Sequence, residues 1–310
     1  MSRIRRFAPK ALQATFILSA LFAITVRSAP SRAITTWRMN PSRAMLLPGA
    51  LPDGIAVRAG SWNVYGGNFS DATTIGAALG ALHYDVVGLQ EVPHAVFAED
   101  VAHAMGPEYT AYFGDGKALI SRTPLVDAQT VSLVNGRGFV RATTVIAGVP
   151  FSIYAAHLGW NLEGNRQNRE FMDEWVLPDP NPYLMVMGDF NDEHLSAQID
   201  ILEEDLDDVW TKLGLYPGER ISWPSNRFDG DEGSQLIDNV FVRRAAGAIV
   251  LQGDVVNLSP VLSDHKPIWA DLLFSPDPGA PFTEDPFAEA RRPDAEFPEN
   301  PPENLLVNPG

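Results

Sequence analysis

The 310-residue chain contains no cysteine, so it has neither a disulfide framework nor a thiolate metal site. Any bound cation must be held by Asp, Glu, Asn or His. No internal repeat is visible, which excludes solenoids and propellers. No GxGxxG follows the first predicted strand and the middle of the chain reads as a meander, which argues against a doubly wound dinucleotide-binding sheet. After residue 26 no apolar run is long enough to cross a bilayer. Basic residues are scarce and unevenly placed. Six of the 23 lie in residues 1–33, which hold no acid; that leaves 17 against 39 acidic residues, a net charge of −22 for the remainder. Such a surface repels a polyanion and disfavours nonspecific duplex binding by a broad basic face. Small or membrane-borne phosphoesters suffer less, and a bound cation reverses the field locally.

The start of the chain carries Arg3, Arg5, Arg6 and Lys10, then an uncharged stretch over residues 11–26, then small residues around Ser28, Ala29 and Ala33. This is the layout of a secretory signal with cleavage after Ser28 or Ala33. The alternative is an uncleaved anchor, with residues 11–26 tethering the chain to a membrane. Either way the expected location is outside the cytoplasm, periplasmic or secreted. Residues 34–54 are rich in Pro and Gly and read as a linker, residues 55–275 as one folded domain, and residues 276–310 as an acidic, Pro-rich disordered tail. The expected state is a monomer.

Within the domain, strand patterns over 55–64, 86–91 and 183–187 are separated by amphipathic helical patterns over 71–82, 93–105 and 163–176. Residues 109–156 break into five short segments bounded by Gly, Pro and Asn, the signature of consecutive antiparallel strands. A further helix over 195–204 and strands over 235–242 and 266–274 complete the domain. Strand runs mixed with helices predict an α/β sandwich: two sheets packed face to face with helices outside.

The chain is organised around Met185-Val186-Met187-Gly188-Asp189-Phe190-Asn191-Asp192, where an apolar run stops at a glycine and oxygen-bearing side chains follow. Gly188 is expected to free the backbone to turn, and Asp189 and Asn191, two apart, point the same way if extended geometry persists. The device recurs. Asn63 closes one strand pattern, Glu91 another and His157 a third, while Asp238 and the Asp264-His265 pair flank two more. Singly, each has a bland reading as a turn residue, a cap or a packed imidazole. Together they come from six separate segments, and one cleft rim could gather them all.

In this order Trp62-Asn63-Val64, Gln90-Glu91, His157-Leu158, Gly188-Asp189-Phe190-Asn191, Ile237-Asp238 and Ser263-Asp264-His265 resemble the endonuclease/exonuclease/phosphatase superfamily, bacterial metal-dependent hydrolase branch. The resemblance spans about residues 55–274. It implies a DNase I-like four-layer α/β/β/α sandwich and hydrolysis of a phosphoester with Mg²⁺ or Mn²⁺ as cofactor. Hard cations prefer oxygen donors, and the ligand types agree. By the same resemblance Asn63, Glu91 and Asp264 are the metal ligands, Asp238 pairs with His265, and Asn191 and His157 hydrogen-bond the phosphoryl oxygens. Either Asp189 or the Asp238/His265 pair activates the attacking water. The expected substrate is a small or lipid-borne phosphodiester, chosen by loops around residues 66–70, 159–165 and 224–233. An extracytoplasmic nuclease is the alternative. A noncatalytic binding domain predicts a broken motif, and none of the expected side chains is missing. A divalent-cation buffer predicts acidic clusters away from the strand ends, and the spread charges of the tail suit solvation better.

Overall fold

The computed structural model describes residues 53–215, 219–227, 233–279 and 282. The export segment, most of the linker, most of the tail and part of the 224–233 loop lie outside the described residues. Among the described residues no helix is long and apolar enough to cross a membrane.

The domain is built from two six-stranded sheets, each organised around a parallel pair. In the first, β1 (Ile55–Asn63) runs parallel to β2 (Val86–Gln90), and α1 (Ala72–Gly80) makes the crossover between them. The antiparallel hairpin β3 (Thr110–Gly114) and β4 (Lys117–Ser121) extends the β2 side. In the second sheet, β7 (Val149–His157) runs parallel to β8 (Leu184–Asp189). Their crossover is α3 (Asn161–Phe171), continued by a π-helical turn over Met172–Val176. β5 (Val126–Ser132) and β6 (Gly138–Ile146) extend the β7 side; β9 (Leu206–Asp208) and β10 (Asp238–Arg243) extend the β8 side. β11 (Ile249–Val255) and β12 (Ile268–Phe274) return to complete the first sheet beside β1.

Period-two alternation decides which layer each side chain joins. Met185 and Met187 point between the sheets, where they meet Val86, Leu119 and Ala155; Leu184 and Val186 point outward under Phe171, Met172, Ile199 and Leu202. On the first sheet Val86 faces inward, while Val87 and Leu89 face Ile75, Leu79 and Val101 of the covering helices α1 and α2 (Ala95–Met105). The α4 helix (Ala197–Leu202) joins α3 over the second sheet. The result is the α/β/β/α sandwich that the sequence predicts. Side chains start the helices: Asp71 accepts from the Thr74 amide, His94 from Phe97 and Ser196 from Ile199.

Two local expectations fail. Gly188 is not a turn but a strand residue, paired with Ala156 on one side and Asn239 on the other. A Cβ there would sit 2.3 Å from the Ala156 carbonyl oxygen, so the glycine permits close approach of β7. The chain turns later, at Asn191, whose φ is 54°. The sequence reading also passed over β9, α5 (Val209–Lys212) and β11, which are too short or, in β11, too polar at Gln252-Gly253-Asp254 to show a clean pattern. Gly188→Ala is expected to destabilise the fold by about 1–3 kcal/mol through this backbone clash, read as a lower midpoint of denaturant unfolding.

Candidate active site

Because each sheet has a parallel pair at its centre, four strands end at the same rim. β1 ends in Asn63, β2 runs into Glu91, β7 ends in His157 and β8 in Asp189. β10 runs antiparallel to β8, so its first residue, Asp238, pairs with Asp189 at that rim. The segment leading into β12 brings Asp264 and His265 to the same place. Glu91 leaves its strand at φ 52°, a sparsely populated conformation for a residue with a Cβ. Its carbonyl oxygen accepts from the Gly66 amide at 2.8 Å, and the next residue, Val92, donates to Gly116, so the strained turn is held on both sides.

Asn63 is buried, and its Nδ2 donates to Asp189 Oδ2 at 2.9 Å and to Glu91 Oε1 at 3.1 Å. Asp189 Oδ2 also lies 3.4 Å from His157 Nε2 and 3.7 Å from His265 Nε2. His265 Nδ1 and Asp238 Oδ2 are 2.8 Å apart. Two tryptophans brace this pair from outside: Trp62 Nε1 donates to the His265 carbonyl and Trp210 Nε1 to the Asp238 carbonyl, each at 3.0 Å. Ser263 Oγ donates to the Asn63 carbonyl at 2.7 Å and lies 3.4 Å from Asp264 Oδ1. Asn191 sits differently from expectation. Its positive φ turns the side chain away from a shared direction with Asp189; Nδ2 donates to the Leu158 carbonyl and the backbone amide to Asp189 Oδ1, each at 2.9 Å.

The two imidazoles are in opposite electrostatic states. Burial depresses His265, but the carboxylates of Asp238 and Asp189, the hydrogen bond to Asp238 and the charge of Asp264 outweigh it and raise its pKa to about 9. Burial also depresses His157, and there it wins: Asp189 opposes it, while Arg137, His265 and Lys117 push the same way, to about 4. At neutral pH the rim holds one imidazolium and one neutral ring. Arg137 and Lys117 were invisible as site residues in the sequence, because isolated cations in two separate segments carry no pattern. Lys117 is buried at the start of β4 opposite Gln90, with Nζ 3.0 Å from Asp115. Arg137 donates to the Leu158 carbonyl at 2.9 Å and lies 5.7 Å from the centre of the Trp160 ring.

The donor set fits a hard cation. Glu91, Asp189, Asp238 and Asp264 offer carboxylate oxygen, and Asp238 Oδ1 is buried without a hydrogen-bond partner. Asp189, Asp238 and His265 each offer one ligand atom within 4.8 Å of the others. Of the expected ligands, Glu91 is joined to this group through the Asn63 side-chain amide, and Asp264 lies beside it, its Oδ1 3.4 Å from the Ser263 hydroxyl that donates to the Asn63 carbonyl.

The sequence profile of the endonuclease/exonuclease/phosphatase family matches residues 60–265, a span that begins inside β1 and ends on His265. The chain belongs to this family. Its members are divalent-metal-dependent enzymes that hydrolyse phosphoester bonds, and so is this chain. No curated protein matches it. Among solved structures, the endonuclease/exonuclease/phosphatase from Beutenbergia cavernae is 20% identical, with a TM-score of 0.58 over 71% of this chain and 72% of that one. The human nocturnin catalytic domain with bound sulfate is 18% identical, TM-score 0.58, over 71% and 94%. D. rerio TDP2 complexed with single-strand DNA product is 18% identical, TM-score 0.56, over 70% and 98%. At such identities these likenesses show the shared DNase I-like fold.

The pairing of His265 with carboxylates is directly measurable. In the metal-free chain the ring is expected to titrate near 9 by NMR, and Asp238→Asn to lower that value by roughly 1–3 units. Because the folded pKa is raised, the pair's stabilisation is full below the unfolded value of about 6.5 and is lost as pH rises through about 9.

Proposed function

We propose that this family member is an exported, Mg²⁺- or Mn²⁺-dependent phosphodiesterase that hydrolyses a small or lipid-borne phosphodiester by in-line attack of water. The observation that carries the reading is the convergence of Asn63, His157 and His265 on Asp189 Oδ2, beside a row of carboxylates, on a chain whose net charge beyond residue 33 is −22. Glu91, Asp264 and the Oδ1 of Asn63 would hold the cation. When bound, it supplies positive charge that polarises the phosphoryl group.

The chain's own residues do the rest. Asp189 Oδ2 stands where a water proton can be accepted, and Asn63 fixes the carboxylate in that orientation. Asp238 holds the His265 imidazolium in one orientation with Nε2 turned toward the same point, so its charge faces the phosphoryl oxygens as negative charge shifts during displacement. His157 Nε2, buried without a hydrogen-bond partner, can offer an N–H, and Asn191 has a second amide N–H beyond the one given to Leu158. Lys117 and Arg137 add positive charge on the β4/β6 side.

A nuclease is the second reading, favoured by the single-strand DNA product in D. rerio TDP2 and by these two cations. Salt dependence separates the two. A duplex reader contacting six to ten phosphates loses about 10³–10⁵ in affinity between about 50 and 200 mM salt, whereas a one-phosphate substrate loses roughly tenfold or less. With saturating Mg²⁺, kcat/KM on a bis-aryl phosphodiester is expected to fall only slightly over that range, with slow plasmid cleavage throughout. Rapid plasmid nicking with a steep salt slope selects the nuclease. Glu91→Ala is expected to abolish turnover while circular dichroism and melting stay near wild type; retained activity at subsaturating Mg²⁺ would remove Glu91 from the ligand set. Fractionation is expected to find the protein outside the cytoplasm, and a full-length cytoplasmic chain would overturn the export reading.

A further inference from the structure

Eleven large apolar side chains are exposed among the described residues, and their distribution is uneven. Eight lie on loops and first helical turns at the rim that carries the site. Tyr65 and Phe69 follow Asn63 and pack on each other, with ring centroids 5.5 Å apart. Trp160 and Leu162 follow His157, Leu195 follows Asn191, and Val261 precedes Asp264. Phe69, Trp160 and Leu162 are 55%, 56% and 75% exposed. Val126, Val145 and Leu177 are the other three, at the opposite end of the strands. Scattered exposed apolar residues are ordinary; a ring of them around one catalytic rim is not.

We propose that this rim is a lipid-contact surface, on which Phe69, Trp160 and Leu162 enter the headgroup region of a zwitterionic bilayer and bring the carboxylate cluster to a phosphodiester headgroup. The proposal rests on the phosphodiesterase reading above and narrows its substrate class to the lipid-borne one. Aromatic and aliphatic side chains from two loops on opposite sheets can enter an interface together, and Trp and Tyr suit that depth because they pair an apolar ring with a polar edge. Charge selects the lipid. A net −22 beyond residue 33 is repelled by an anionic surface and not by a zwitterionic one. Chain length permits the orientation as well. Ile55 lies at the far end of β1 from the rim, roughly 30 Å away, and residues 34–54 can span up to roughly 70 Å. An anchor at residues 11–26 can therefore hold the domain with its rim facing the bilayer.

The test uses the full chain in EDTA, so that binding is read without turnover. Vesicles of phosphatidylcholine brominated along the acyl chain are added and tryptophan fluorescence is followed. Quenching is expected in the wild type, and its Trp160 component is expected to be lost in Trp160→Phe, which leaves the other six tryptophans, Trp37 beside the anchor segment included, in place. Phe69→Ser with Leu162→Ser is expected to weaken the Trp160-dependent quenching at least about tenfold, with an unchanged melting temperature showing that the fold survives. Equal quenching in wild type and Trp160→Phe overturns the proposal. So does stronger quenching by phosphatidylglycerol vesicles, or concentration-dependent dimerisation abolished by the same substitutions, which would make a second copy the occupant. Separately, hydrolysis of soluble bis-aryl phosphodiester by the wild type tests the underlying reading: its absence with quenching intact fails the phosphodiesterase reading alone, and its presence without quenching fails the lipid surface alone.

Discussion

A single buried amide ties the two halves of this molecule together. Asn63 lies at the end of the first sheet's central strand, and its Nδ2 reaches both Glu91 on the neighbouring strand and Asp189 on the opposing sheet. One N–H₂ group has two donors, and both are spent on carboxylates that would otherwise repel each other across the sandwich. The carbonyl end accepts from the Tyr65 amide and keeps a second lone pair. The relative register of the two sheets at the rim is thus fixed by the residue that the chemistry needs there. A slip of one residue in β1 would turn Asn63 toward the outer helices and release both acids.

The apolar core below makes that polar rim affordable. Met187, directly preceding Gly188-Asp189, sits between the sheets with Ala155 and Val86, while Phe190, directly following, packs outward with Phe241. The strand carrying Asp189 is clamped on both faces to within one residue of the carboxylate. Trp62 and Trp210 do the same for His265 and Asp238, filling space and donating to their backbone carbonyls. Side chains held this way lose little freedom when a substrate arrives, which is the physical content of preorganisation.

Electrostatics at the rim run against the character of the chain. The sequence is strongly acidic, yet its site gathers an imidazolium, Lys117 and Arg137 near the acids, and Lys117 is almost fully buried. Net charge describes long-range repulsion; the local field belongs to whichever residues the fold assembles. Around that field the chain also presents exposed apolar side chains, among them Phe69, Trp160 and Leu162.

Much of this was legible without coordinates. The continuous apolar run in 183–187, the helical spacing in 71–82 and the five short strands before His157 determined the sandwich, because period and turn residues act locally. The family resemblance rested on six ordered motifs, each placed at or beside a strand end, and strand ends are readable as the point where an apolar run stops. What lay beyond reach were relations between segments distant in the chain. Gly188 reads as a turn until Ala156 is seen 2.3 Å from its missing Cβ. Asn191 reads as a partner of Asp189 until its φ of 54° sends its amide to Leu158. Lys117, Arg137 and the apolar ring carry no spacing signal, since they come from several separate segments. Sequence by itself determined which strands and helices form and which polar groups end them; the tertiary structure decided which of those groups meet, because that depends on the pairing of β1 with β2, of β7 with β8, and of one sheet on the other.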